Sequence, residues 1–166
     1  MSFGSSQWMY QSGGFYGFDV SNSCRFNSGD SAYLSRTPGS AGNLKTWTWS
    51  CWIKFSKLNH WTTLFSSGAD GNNKTRLKFD DNGGRLFFDN EASGSSNQRF
   101  YSTRLFRDPS AWYNIVLAVD TTQATDTNRV KIYANGTQIT AFAQSDYPAE
   151  DLVYNMNTTN PVEIGK

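Results

Sequence analysis

Residues 45–55 read KTWTWSCWIKF, and alternate positions divide cleanly. Trp47, Trp49, Cys51, Ile53 and Phe55 share one side, while Thr48, Ser50, Trp52 and Lys54 share the other. A period of two filled with aromatic and β-branched residues is the signature of a strand. Five bulky apolar groups on one face need a second layer over them, which predicts a central sheet strand and not a free edge. Trp52 stands apart, because a large ring on the polar face must meet a loop, a partner or a ligand.

The same alternation recurs in shorter form along the chain. Residues 15–20 (FYGFDV) and 23–27 (SCRFN) predict short strands, the second with Cys24 and Phe26 inward; a turn at Ser28-Gly29-Asp30 leads to AYLSR at 32–36. A strand begins at Trp61, and the dense cluster of turn formers at 68–73 reads as a loop. In 75–80, Leu77 and Phe79 alternate with Arg76, Lys78 and Asp80. Asn82-Gly83 then turns the chain into RLFFDN at 85–90, a strong hairpin signal. Residues 91–98 read as a solvated loop, and 100–106 as a strand pairing with that hairpin. Asp108-Pro109-Ser110 makes a turn before the apolar run 111–120, a buried strand by length, with Tyr113, Ile115, Leu117 and Val119 toward the core. Val130, Ile132 and Ala134 face inward ahead of a second hairpin turn at Asn135-Gly136. Residues 144–160 are irregular, and VEIGK at 162–166 reads as strand.

No stretch carries a sustained helical stripe. Short strands joined by Asn, Gly and Asp turns, with hairpins alternating with longer crossings, predict an all-β, two-sheet antiparallel jelly-roll sandwich. Residues 1–14 form an N-terminal arm or extra strand, and 15–166 the sandwich.

Composition changes this picture in three ways. Aromatic residues make up 16 % of the 166, so the core is built from a few large side chains. Charged residues are only 17 % and the net charge is +1, which argues against electrostatic binding of nucleic acid or an anionic membrane. The first twenty residues have neither a basic start nor a continuous apolar run, so neither a signal peptide nor membrane insertion is expected. Cys24 and Cys51 read as buried small hydrophobes. His60 is the single histidine and there is no Cys-x-x-Cys, so His60 reads as a solvated loop residue.

The segments SCRFNSGDSAYLSRTP, WTWSCWIKF, SAWYNIVLAVD and NRVKIYANGTQ, in this order, resemble the concanavalin A-like or laminin-G-like jelly-roll domains. They are closest in flavour to those of marine bacteriophage tail-fibre and other virion proteins. The resemblance spans residues 20–165 and implies the sandwich fold. It also implies that further strands follow Ile164-Gly165 in family members and close the sandwich. Either the chain is then a fragment, incomplete at its C-terminus, or its first 20 residues or a neighbouring subunit fill the gap, which favours assembly with another chain. Lectins, hydrolases, adhesion modules and capsid proteins share this sandwich, so the fold alone does not select among them.

Hydrolases of the fold carry closely spaced carboxylates on one concave strand. The three glutamates, Glu91, Glu150 and Glu163, form no such arrangement, and Asp80, Asp81 and Asp89 read as turn-capping and surface residues of a hairpin. The expectation is therefore a non-enzyme without a cofactor. Calcium is the one candidate ion, at Asp70, Asn72, Asn73 and the strand-end Asp120, since oxygen-rich loops suit a hard cation. Sugar recognition needs an exposed ring beside hydrogen-bonding groups. The candidates are Trp52, Trp61, Tyr101 and Trp112, with Asn72, Asn90 and Asn114 beside them; the same residues would serve a subunit interface. The leading expectation is a bacteriophage virion structural protein (capsid decoration, tail or fibre module) making contacts with its own copies or other virion proteins, with host-surface glycan attachment. The alternative is an extracellular carbohydrate-binding adhesion module.

Overall fold

The computed structural model describes residues 22–166. Eleven strands form among them: β1 (Leu34–Arg36), β2 (Thr46–Lys54), β3 (Thr62–Asp70), β4 (Asn73–Phe79), β5 (Arg85–Ala92), β6 (Ser95–Leu105), β7 (Trp112–Asp120), β8 (Val130–Ala134), β9 (Thr137–Ile139), β10 (Phe142–Ser145) and β11 (Val162–Ile164). They make two antiparallel sheets. One has seven strands in the order β1-β11-β3-β4-β5-β6-β10, and the other has four in the order β2-β7-β8-β9. This is the all-β jelly-roll sandwich that the alternation predicts. The expected arm at 1–14 and strand at 15–20 lie outside the described residues.

Strand β2 buries the face the sequence marks. Thr46 to Lys54 pair residue for residue with Asp120 to Trp112 of β7. The Trp47 ring meets Phe65, Phe88 and Tyr154 of the opposite layer edge-on, at centroid distances of 6.2, 6.4 and 5.7 Å. Phe55 packs on Phe79 and Tyr113 at 4.7 and 5.8 Å. Burial of each such side chain contributes roughly 1.5–3 kcal/mol. Among the described residues, however, β2 pairs with β7 alone and so borders its sheet. Alternation specifies a buried face and is silent on the number of hydrogen-bonded neighbours.

Four other expectations change. Residues 23–27 form no strand, and Cys24 is exposed, so it is not a buried hydrophobe. The turn formers at 68–73 do not make a loop. β3 runs to Asp70, β4 begins at Asn73, and Gly71-Asn72 alone turns the chain, because Asp70 Oδ1 accepts from the Asn72 and Asn73 amides at 2.7 and 2.9 Å. Residues 91–98 likewise extend β5 and β6 around a tight turn at Ser93-Gly94. Within them Gln98 is buried, and Glu91 is a strand residue.

Polar residues of β4, β5 and β6, Gln98 among them, sit in a buried chain of hydrogen bonds. Thr75 Oγ1 donates to Asn90 Oδ1 (2.8 Å), Asn90 Nδ2 donates to Gln98 Oε1 (2.9 Å), and Thr75 Oγ1 accepts from the Asn155 amide (3.2 Å). Buried amides and hydroxyls persist only when bonded in this way. Buried Arg129 does the same for the loop after β7 and the segment after β10, donating to the carbonyls of Gln123 and Ala124 in the first and of Pro148 in the second at 2.8–2.9 Å.

Candidate functional site

Because inner positions of the seven-stranded sheet carry the core, the alternate positions of β4, β5 and β6 form an outward face. Cross-strand register sets it in rows. Lys78 lies opposite Phe87, and Phe87 opposite Tyr101; Arg76 lies opposite Asp89, and Asp89 opposite Arg99. Trp61, just before β3, leans over the first row.

The first row is aromatic. Trp61 meets Phe87 edge-to-face at 6.2 Å, and Phe87 meets Tyr101 at 5.4 Å. Lys78 Nζ sits 4.5 Å from the Trp61 centroid and 4.8 Å from that of Phe87, and the Arg85 guanidinium sits 5.2 Å from the Tyr101 ring. Trp61 remains 46 % exposed. Burial against the rings lowers the Lys78 pKa, only partly offset by the Asp89 charge. Burial and the hydrogen bond the Tyr101 hydroxyl donates to Asp80 push the Tyr101 pKa up to about 12.

The second row is ionic. Arg76 donates through Nε to Asp89 Oδ1 (3.1 Å) and through Nη2 to Asp89 Oδ2 and Glu91 Oε1 (2.6 Å to the latter), with Lys74 Nζ 3.9 Å from Glu91 Oε2. Burial alone would lower the Arg76 pKa, but Asp89 and then Glu91 outweigh it and raise it. Asp89 is thus a buried ion-pair partner and not the surface residue of the sequence reading, whereas Asp80 does cap its turn, accepting from the Arg85 amide at 2.7 Å. Beside this row lies an open groove of about 440 Å³ lined by Ser66, Gly68, Lys74, Arg76, Glu163 and Lys166.

The sugar-binding candidates separate. Trp61 and Tyr101 come together on the face just described. Trp52, Trp112 and Asn114 lie on the outer face of the four-stranded sheet, where Trp52 is opposite Asn114 and Trp112 opposite Lys54; both tryptophans are 52 % exposed. Asn90 is a correction. It is 3 % exposed and bonded to Thr75 and Gln98, so it is no surface hydrogen bonder. Asn72 occupies the β3–β4 turn, its carbonyl accepting from the Gly94 amide at 3.0 Å.

The calcium candidates do not converge either. Asp70 ends β3 in one sheet and Asp120 ends β7 in the other. Asp70 is occupied by the Asn72 and Asn73 amides and the Asn73 side chain. Asp120 accepts from Thr46, Thr122 and Gln123. Among the described residues no three His, Cys, Asp or Glu gather as metal ligands would.

Sequence reasoning missed Phe87, Lys78 and Arg85. The signal was present: counting outward from Asn82-Gly83 pairs Asp80 with Arg85 and therefore Lys78 with Phe87, the register observed.

A family model described as the concanavalin A-like lectin/glucanases superfamily, of the laminin G type, matches residues 7–166, and the chain belongs to that family. A search of curated proteins finds no match. No helix among the described residues is long and apolar enough to cross a membrane.

Proposed function

We propose that this domain is a carbohydrate-binding module and that the outer face of its seven-stranded sheet holds the sugar. The observation carrying the reading is the Trp61–Phe87–Tyr101 row, an aromatic platform whose Trp61 is half-exposed, with the hydrogen-bonding cations Lys78 and Arg85 over its rings and a groove alongside. Sugars present apolar C–H faces that pack on rings and hydroxyls that bond to neighbouring polar groups. Family membership supports the same class of ligand.

The role is binding and not hydrolysis. What supports this is the state of the carboxylates on this face. Asp80 is held by the Tyr101 hydroxyl and the Arg85 amide, and Asp89 and Glu91 both pair with Arg76, whereas a glycosidase needs an acid and a nucleophile or base facing each other across the scissile bond. The virion setting and multivalent assembly rest on the sequence resemblance alone, and a clean monomer by native mass measurement would count against them.

The test is a glycan array with the intact protein, with Trp61→Ala and, as control, Trp112→Ala on the opposite sheet. Loss of binding in Trp61→Ala alone supports the reading. No glycan bound, or loss in Trp112→Ala alone, overturns it.

A further inference from the structure

The outward positions of β4, β5 and the middle of β6 carry Lys74, Arg76, Lys78, Arg85 and Arg99 against Asp89 and Glu91, with Asp80 just past β4 held by the Tyr101 hydroxyl and the Arg85 amide. Asp89 and Glu91 are taken up by Arg76, and Glu91 also faces Lys74. Lys78 and Arg85 have no carboxylate within ion-pairing distance among the described residues, and each lies over an aromatic ring instead. In a protein of net charge +1 this is a local concentration of positive charge, placed on the platform itself.

We propose that the sugar bound on this face is anionic, its carboxylate or sulfate group seated between Lys78 and Arg85. The inference rests on the carbohydrate-binding reading and specifies its ligand. Three observations carry it. Lys78 is half-buried between Trp61 and Phe87, and such an ammonium gains most from an anion that replaces lost hydration. Asp89 and Glu91 already pair with Arg76, and their charges offset only part of the cost of burying Lys78. The two cations sit above the rings of one row, so a sugar stacked on Trp61 would carry its substituents past both. The ring stack supplies the apolar contact of a pyranose, and the cations supply the contact that distinguishes an acidic sugar from a neutral one.

The experiment measures binding of the intact chain to laminarin (a neutral glucan), polygalacturonate (carboxylate) and dextran sulfate (sulfate ester) at 50 and 300 mM NaCl. Lys78→Gln, Arg85→Gln and Trp61→Ala are compared with the parent, and folding is checked by thermal melting. The expected result is binding to one or both anionic polymers, weakened at least tenfold by Lys78→Gln and by Trp61→Ala and falling with salt. Which anionic polymer binds identifies the carboxylate or the sulfate. Equal binding of laminarin, unaffected by Lys78→Gln, overturns the anionic ligand and leaves carbohydrate binding standing. Binding of dextran sulfate unaffected by Trp61→Ala overturns the sugar-specific site in favour of general polyanion attraction. No binding to any of the three, with a blank glycan array, overturns both readings. If Lys78→Gln does not fold, Arg85→Gln and the salt dependence decide by the same criteria.

Discussion

The Lys78 ammonium lies 4.5 Å from the centre of the Trp61 ring, joining the residue before β3 to the end of β4 across the outer face of the seven-stranded sheet. Such a contact contributes about 0.5–1 kcal/mol at an exposed site and more as water is excluded. Trp61→Ala is therefore expected to lower stability by no more than about 1–2 kcal/mol while abolishing glycan binding. Urea denaturation beside the binding assay separates the two. A large stability loss would mark Trp61 as a structural ring.

Asp89 is expected to depend on Arg76. Its side chain is 1 % exposed, and Arg76 supplies two of its hydrogen bonds. Arg76→Ala leaves a buried carboxylate unpaired and should cost about 3–5 kcal/mol, whereas replacing both partners with apolar residues should cost much less. Chemical denaturation of Arg76→Ala and of the double variant Arg76→Leu/Asp89→Leu checks this. Equal losses in the two would show that the pair's packing, and not its charge, is what matters.

Tyr154 should tolerate, and gain from, loss of its hydroxyl. The group is buried with no hydrogen-bond partner among the described residues, and burial pushes its pKa far up. Tyr154→Phe removes an unbonded polar atom while keeping the ring that packs on Trp47 and Phe88. The expected gain is about 1 kcal/mol, read as a higher melting temperature. A fall instead would show that an ordered water satisfies the hydroxyl.

Alkaline stability should carry the mark of Tyr101. Its pKa is about 12 in the folded chain against an ordinary value of 10, so folding favours the neutral phenol. That contribution is complete below pH 10 and is lost as pH rises through 12. Tyr101→Phe should flatten the stability curve between pH 10 and 12, with urea midpoints across that range as the measure. An unchanged slope would place the alkaline sensitivity elsewhere, as at Tyr154.

Gly68 should resist replacement. A Cβ there would lie 2.1 Å from the Asn73 carbonyl oxygen and 2.6 Å from Lys74 Cα, both main-chain atoms that cannot move aside cheaply. Gly68→Ala is expected to cost about 2–3 kcal/mol, and the melting temperature of this variant tests it. The same residue lines the groove beside Arg76, so glycan binding should fall with it.

Most of the sandwich was legible because its evidence is local. The inner face of β2, the core face of β7 and the hairpins at Asn82-Gly83 and Asn135-Gly136 each follow from a few adjacent residues. What was not legible depends on partners distant in sequence. Asn90 looks like a surface hydrogen bonder and Gln98 like a solvated loop residue until the strands bring them to each other and to Thr75. Gly68 and Asp70 look like loop residues because turn formers and bulged strand ends share the same composition. At the candidate site Trp61 and Tyr101 were legible as aromatic candidates, but the sequence could not say that they share a face while Trp52 and Trp112 occupy another. Phe87 and Lys78 required the register, which turned on one dipeptide.

The chain of bonds from Thr75 through Asn90 to Gln98 crosses three adjacent strands, β4, β5 and β6. Alternation of apolar and polar positions penalises a slip by one residue, since every core ring would turn outward. A slip by two residues keeps the same faces buried, and greasy side chains alone distinguish it poorly. The buried amides do distinguish it, because a slip of β5 would separate Asn90 from both partners at once, and a slip of β4 or β6 from one of them, leaving polar groups stranded away from water. In this sandwich the apolar residues choose which side faces inward, and three polar ones pin how far each strand slides.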